Sequence, residues 1–400
     1  MKDLVKRREF LKAGSMAAAG MMIGMPSILS AGTYSKNDEI RVGVIGTGNR
    51  GTGLIRVMQK VPELRVMACC DVLPFRLEEG MKHADSKAKA YSDYKKLLDN
   101  KKLDAVVIAT PLSTHSQIAI DTVDAGKHVY SEKTMTYNIE QAFDVLKKVR
   151  TTDRIFQVGH QYHSSRLYKN VVDIIHEGHI GKVTKFECQY HRNGDWRREV
   201  PDPKLERQIN WRMYKEYSEG MLAELSSHQI DFVNWVTGTI PTSVIGSGGI
   251  DYWKDGRETF DNTHVLFDYP DGVRASFSCT TANAYNSFQI RVLGDKATIV
   301  IGFTGASIIP EAKYRKELGL VDGVSSATIP VMDENGAIPI QWDGMDPTLE
   351  ALEEFADNVL NTRKPSCDVE TGTNLSVAVR LAFNSIHERK RMDWKDSYKI

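Results

Sequence analysis

The apolar run Val42-Gly43-Val44-Ile45, leading straight into Gly46-Thr47-Gly48-Asn49-Arg50-Gly51, constrains the fold of this chain more than any other feature. A strand that enters G-x-G-x-x-G and leaves as a helix forms the first unit of a dinucleotide-binding βαβ fold. Each glycine has its own task there: Gly46 permits the tight turn, Gly48 lets backbone approach a pyrophosphate, and Gly51 lets helix and strand pack closely. Exposed N–H groups and the positive end of the helix dipole hold the phosphates. Thr47, Asn49 and Arg50, lying among the glycines, are expected cofactor contacts, and the periodic stretch from Gly53 to Lys60 predicts the helix. Asp71 follows Gly51 by twenty residues and closes a second strand, Leu64 to Cys70. A carboxylate there accepts ribose hydroxyls and repels a 2′-phosphate, so NAD is expected over NADP. The bland alternative is a glycine-rich turn in another kind of α/β protein.

From Glu39 to about Gln161, strands and helical patterns alternate. Strands are expected at Arg41–Ile45, Leu64–Cys70, Asp104–Ala109, His128–Ser131 and Ile155–Val158, with helices that include Thr114–Ala125 and Ile139–Val149. This alternation predicts a parallel, doubly wound sheet, a Rossmann domain over residues 36–160. Its ligand belongs beyond the carboxyl ends of the strands, where Thr110, Glu132 and His160 emerge beside Pro111, His115 and Gln161.

After His163 the pattern changes. A helix (Arg166–Glu177) leads to a long strand (Val183–His191), a charged aromatic segment (Arg192–Tyr217) and a helix from about Met221 to Val236. Strands then dominate: Thr242–Ser247, His264–Asp268, Val273–Cys279, Phe288–Leu293 and Thr298–Ile301, with Tyr269-Pro270-Asp271-Gly272 as a hairpin turn. Residues 161–400 are therefore expected to form an α+β domain with a large, mostly antiparallel sheet. Thr304 to Gly344 lacks periodicity and reads as an irregular excursion. Two helices close the chain, Pro347–Leu360 capped by Asp346, and Asn374–His387.

The amino terminus carries a separate signal. Lys6-Arg7-Arg8-Glu9-Phe10-Leu11-Lys12 precedes a modestly apolar run from Ala13 to Leu29. This resembles a twin-arginine export signal over residues 1–35, processed near Ala31 to Ser35, and the run is a poor membrane span. A periplasmic location and the twin-arginine export machinery as a partner are expected; a basic amphipathic start to a cytoplasmic protein is the alternative. That route carries folded proteins, and little free NAD is expected beyond the inner membrane. A nicotinamide that stays bound and is recycled in place follows. The chain holds 52 basic and 52 acidic residues, with no basic patch interleaved with aromatics, so nucleic acid is not an expected partner. Cys69, Cys70, Cys188, Cys279 and Cys367 are scattered core thiols without C-x-x-C spacing. His160-x-x-His163 would need a third metal ligand that spacing does not identify, so no metal is expected.

Three further stretches join the glycine fingerprint: Ala109-Thr110-Pro111-Leu112-Ser113-Thr114-His115, Ser131-Glu132-Lys133-Thr134-Met135, and Gly220 to Asp231 with Glu224, His228 and Asp231 spaced four and three apart. In this order they resemble the Gfo/Idh/MocA family of NAD(P)-dependent sugar and polyol oxidoreductases, over about residues 39–390. The twin-arginine start is similar to that of its exported branch acting on sugars and glycosides. The resemblance implies that Lys133 is the catalytic lysine of a Glu-Lys-Pro motif, with Glu132 positioning it on the nicotinamide side. It also implies His228 as general acid/base and homo-oligomers built on the second sheet. Within the exported branch it implies oxidation of a glycoside at C3 to a 3-keto sugar.

An ammonium beside an alcohol favours the developing alkoxide, and an imidazole suits proton exchange near neutrality. Glu224 and His228 are four apart on a helix, so the carboxylate is expected to orient the imidazole, with Asp231 close to that face. The chain departs from the family pattern twice: Thr134 replaces the proline and Glu224 replaces an aspartate. Trp196, Trp211, Arg212 and Tyr214 read as a carbohydrate-binding rim, or as an aromatic loop packed on the second sheet. Lys133 as an exposed strand-end lysine, and Glu224–His228 as an ordinary helix ion pair, remain the plain alternatives. Three other functions stay open: an NAD-dependent glycoside hydrolase, a non-catalytic NAD-binding sensor, and a hydroxy-acid dehydrogenase using Arg212 as a carboxylate clamp.

Overall fold

Short, mostly apolar strands flanked by amphipathic helices can bury both faces of a sheet, and the first half of the chain does so at its central strands. The computed structural model describes residues 39–314 and 336–400; the twin-arginine segment and the middle of the 304–344 excursion lie outside the described residues. Six strands form the first sheet: β1 (Ile40–Ile45), β2 (Leu64–Cys70), β3 (Lys89–Tyr91), β4 (Ala105–Ile108), β5 (His128–Ser131) and β6 (Phe156–Val158). Their order is β3-β2-β1-β4-β5-β6 and every pairing is parallel. The chain reverses direction across the sheet between β1 and β4, which is where such a fold opens a crevice. Helices α1 (Asn49–Met58), α2 (Pro74–Met81), α3 (Tyr94–Leu98), α4 (His115–Asp124) and α5 (Ile139–Val149) link the strands. β3 escapes the sequence pattern because it is three residues long, lies at the edge and carries no apolar stripe.

Among the described residues nine strands form the second sheet, in the order β14-β13-β12-β11-β7-β10-β9-β8-β15. They are β7 (Val183–His191), β8 (Ser243–Gly249), β9 (Asn262–Asp268), β10 (Arg274–Thr280), β11 (Phe288–Gly294), β12 (Ala297–Gly302), β13 (Gly305–Pro310), β14 (Ile338–Ile340) and β15 (Met392–Asp393). Among the described strands only the central β7–β10 pairing is parallel. The expected hairpin turn joins β9 to β10, with Asp271 and Gly272 both at positive φ. β13 and β14 correct the irregular reading of 304–344: β13 pairs in register with β12, but its Gly-Ala-Ser start hides the strand period.

Helices α6 (Arg166–His176), α7 (Ser227–Thr237), α8 (Pro347–Asn361) and α9 (Val369–Glu388) complete the fold. α8 does not stay with the second sheet. Ala351, Leu352, Phe355 and Ala356 pack into the core formed by β1, β4 and α1, with Phe355 edge-on to Tyr130 at 5.6 Å. α8 thus returns to the first sheet after most of the second has been laid down. Asp346 caps α8 by accepting from the Thr348 amide at 2.8 Å. Asp346→Ala is expected to cost about 1 kcal/mol, read as a lower urea midpoint with an unchanged slope. Among the described residues no helix is long and apolar enough to cross a membrane.

Candidate active site

The glycine turn is built as the spacing requires. Gly46 has φ +88°, and a Cβ there would lie 2.6 Å from the Ala109 carbonyl oxygen. A Cβ on Gly51 would sit 1.8 Å from the Gly46 carbonyl oxygen, so α1 rests directly on the turn. α1 begins at Asn49, four residues before the expected start, because Thr52 already donates its amide to the Gly48 carbonyl. The first-turn amides therefore lack intrahelical acceptors and face the crevice. Gly48 opens toward Arg76, whose guanidinium would meet a Cβ there at 2.7 Å. Asp71 accepts from the Thr47 amide at 2.8 Å and from Leu73 at 2.9 Å, so it braces the turn. The Thr47 hydroxyl points inward, donating to the Arg76 carbonyl at 2.9 Å.

Beyond the carboxyl ends of β4 and β5 lies a cavity of about 300 Å³ shared by both sheets' loops. Arg50, Thr110, Glu132, Lys133 and Gln161 reach it from the first domain, and Trp196, Trp211, Arg212, Glu224 and His228 from the second. Arg50 donates to Glu132 at 2.7 Å, and Arg212 lies over the Trp211 ring at 4.0 Å. The buried Gln161 Oε1 and His228 Nδ1 have no hydrogen-bond partner among the described residues. Glycine cradle, orphan amides and unpartnered polar atoms together fit a bound dinucleotide.

Lys133 owes its position to an irregular turn. Residues Leu222–Ser226, just before α7, form a π-helical turn, whose wide spacing leaves carbonyls without the usual acceptor role. Lys133 Nζ donates to the Glu224 carbonyl at 2.7 Å, and the Thr134 hydroxyl donates to that of Ala223 at 3.1 Å. The Thr134 that stands in place of a proline thus supplies an anchor between the motif strand and the turn that precedes α7. The Lys133–Thr134 peptide bond is cis. Burial lowers the Lys133 pKa, against the pull of Glu224 and Glu132, while Arg212 and Arg50 push it further down.

The π turn also breaks the expected pairing of Glu224 with His228. It swings the Glu224 carboxylate to Arg212, which donates at 2.7 Å. Burial raises the Glu224 pKa, but Arg212 and Lys133 outweigh it and keep the carboxyl below its ordinary value. His228 instead sits among rings, 5.5 Å from His160 and 5.1 Å from Tyr162. Burial first, then Lys133 and Arg50, hold its pKa well below the ordinary histidine value, so the imidazole is neutral near pH 7.

Asp231 turns away from His228 and toward His163 Nε2, 2.9 Å distant, with His160 at 3.9 Å. Burial raises its pKa, yet the two histidines prevail and hold the carboxyl low. The donor atoms of His163, Asp231 and Cys367 fall within 4.8 Å of one another. The cluster takes in His163 without His160, so it is not a third ligand added to the His160-x-x-His163 pair.

Tyr214 is placed behind the cavity, whereas His115 borders it with both ring nitrogens turned to backbone carbonyls. The buried His115 ring sets Nδ1 3.0 Å from the Thr134 carbonyl and Nε2 2.9 Å from that of Thr110, tying the two motif loops together. A neutral ring donates to only one of them. The Tyr214 hydroxyl donates to Glu206 at 3.0 Å, and Arg207 covers its ring, so Tyr214 is absent from the proposed sugar rim. Pro111 opens the short turn Leu112–Thr114 at the cavity's edge. Tyr190 and Arg192, at the end of β7, line the cavity unannounced; the one available signal was their place at a strand's carboxyl end.

Two family models match this chain. Residues 40–160 fit the oxidoreductase family's NAD-binding Rossmann fold, and residues 168–300 fit the GFO/IDH/MocA C-terminal domain.

The chain belongs to the Gfo/Idh/MocA family.

It is an NAD(P)-binding oxidoreductase with that family's two-sheet architecture. Its relatives include the myo-inositol 2-dehydrogenase of Thermotoga maritima, 24% identical over 88% of this chain and 97% of that protein. A glycosyl hydrolase family 109 protein of Shewanella pealeana is 25% identical, over 52% of this chain and 50% of its own length. Among solved structures, levoglucosan dehydrogenase in complex with NADH and levoglucosan superimposes with a TM-score of 0.73. That alignment covers 89% of this chain and 99% of that one at 17% identity, a likeness of fold.

Proposed function

We propose that this Gfo/Idh/MocA protein is an exported, NAD-retaining enzyme that oxidises a secondary hydroxyl of a sugar or glycoside, with C3 as the reacting carbon. One observation carries the reading: Lys133 and His228 share a single cavity with the Trp196–Trp211–Arg212 rim and with Arg50 of the glycine turn. Relatives named for inositol and levoglucosan support a polyhydroxylated substrate. Asp71, fixed at the end of β2, supports NAD over NADP. When bound, the nicotinamide supplies the two-electron acceptor.

The protein's own groups handle the rest. Lys133, poised by the Glu224 carbonyl, takes the proton of the reacting hydroxyl when its amine is neutral, and returns it in reduction. Neutral His228 holds or relays that proton. Arg212, fixed by Glu224 and stacked on Trp211, donates to neighbouring hydroxyls while the indole covers a ring face. The open face of the second sheet, where Ile245 and Leu266 are exposed, is the proposed homo-oligomer surface. The likeness of residues 1–35 to a twin-arginine signal supports a periplasmic location.

The test is to purify the mature protein without added cofactor, release and identify its nucleotide, and follow the reduced-nicotinamide band while offering glycosides and keto sugars. Co-purified NAD that is reduced by a glycoside is expected; a protein that gives no such signal with any sugar would end the proposal. The family 109 relatives favour a second reading, an NAD-dependent glycoside hydrolase. It predicts sugar release from a chromogenic glycoside with no net redox change.

A further inference from the structure

Two cavities follow one another along the crevice. The inner, of about 300 Å³, holds Lys133 and His228; the outer, of about 440 Å³, is bounded by Thr47, Gly48, Asn49 and Arg76. Arg198 is the residue that borders both. A dinucleotide laid along this path places its two halves in the two cavities and its diphosphate at their junction. We infer that Arg198 is an anion clasp, carried by the second domain, that closes on this diphosphate and keeps the cofactor bound between turnovers. The inference rests on the dinucleotide reading given above.

The segment around Arg198 is built to present it. Asn210, itself buried, accepts from the Arg198 amide at 2.7 Å and donates to its carbonyl at 3.1 Å, fixing the backbone on both sides. Trp196, two residues earlier, adopts a left-handed φ of 64°, and the Asp195 side chain accepts from the Arg197 amide at 3.0 Å. Arg197 is neutralised by Glu206 and Asp255, and Arg257 by Asp255. Arg198 differs from both. Among the described residues no carboxylate lies within ion-pair distance of its guanidinium. Burial, then Arg212 and Arg76, push its pKa down.

Positive groups thus converge on the glycine turn from both domains, Arg76 from one side and Arg198 from the other. Glu79, an acidic neighbour in the outer cavity, is occupied by Arg56 and Lys82. Glu199 borders the outer cavity but not the inner. Asp71 offsets Arg76 in part, while Arg198 faces Arg76 and Arg212. Like charges at close range are unfavourable, and an anion between them removes the cost. A guanidinium fork matches phosphate oxygens two at a time, which a single ammonium does not.

The test compares wild type, Arg198→Ala and Arg198→Lys, purified identically. Nucleotide released on denaturation is quantified, NADH dissociation is followed by displacement, and adenosine, which lacks the diphosphate, serves as the control ligand. Arg198→Ala is expected to release NADH about 10-fold faster or more, the effect of losing one charge-assisted contact, and to purify with less nucleotide. Arg198→Lys falls between, and adenosine affinity is the same in all three. NADH release from Arg198→Ala at the wild-type rate overturns the clasp while leaving the dinucleotide crevice intact; so does equal weakening of adenosine. A wild-type protein that binds neither NADH nor NADPH overturns the crevice reading itself, and the clasp with it.

Discussion

Lys133→Met is expected to slow sugar oxidation by about 10²- to 10⁴-fold without emptying the dinucleotide crevice. The lysine meets its neighbours through one terminal amine, so the substitution removes the proton acceptor and keeps most of the side chain's volume. Burial, with Arg212 and Arg50, lowers the Lys133 pKa from its ordinary value, against Glu224 and Glu132. In the oxidising direction the neutral amine is the active form, so the wild-type rate rises with pH through this lowered pKa and levels off above it. In the reducing direction the ammonium is active, and the dependence inverts. His228, held neutral well below the ordinary histidine range, adds no limb near pH 7. Rate–pH profiles of wild type and Lys133→Met, beside the nucleotide content of each, check all three statements. A variant that keeps both the rate and the alkaline limb would remove Lys133 from the chemistry.

Contiguous features of this site were readable before any fold was known. β2, β5, β7 and α5 fall where periodicity places them. β2 and β5 are short runs of mostly buried residues, and β7 alternates buried and more exposed positions. α5 buries one face and is capped by Asn138, which accepts from Gln141. The glycine fingerprint and Lys133 are equally local, since their meaning lies in neighbouring residues. What escaped depends on helical phase and on distant segments. Glu224 and His228 share a face only in a regular α-helix, and the π turn at Leu222–Ser226 sends the carboxylate to Arg212 instead. The partners of His163 come from α7 and from Cys367 just before α9. α8 looks like any capped amphipathic helix; nothing in its own pattern says that Phe355 packs against Tyr130 of the first sheet. Tyr214 and Trp211 read alike in sequence, and only Glu206 and Arg207, which engage the tyrosine, separate packing from lining.

Two glycines in one helix are expected to respond to the same substitution with opposite signs. Gly53 lies inside α1, and a Cβ there would meet nothing within 4 Å, so Gly53→Ala gains helix propensity and stabilises by about 0.5–1 kcal/mol. Gly51 lies in the same helix and gains the same propensity. Its Cβ, however, would stand 1.8 Å from the Gly46 carbonyl oxygen, and no rotamer change relieves a clash with backbone. Relief requires α1 to lift from β1, which exposes the buried Leu54 and Ile55, or the turn at Gly46 to open, which its contact with Ala109 opposes. Gly51→Ala is therefore expected to cost about 3 kcal/mol or more, at the upper end for overpacking. It is also expected to weaken dinucleotide binding, because the first-turn amides move with the helix. Urea midpoints and NADH titrations of both variants decide the matter. If Gly51→Ala matched Gly53→Ala in both, α1 would not rest on the turn, and phosphate binding at that helix start would lose its structural basis.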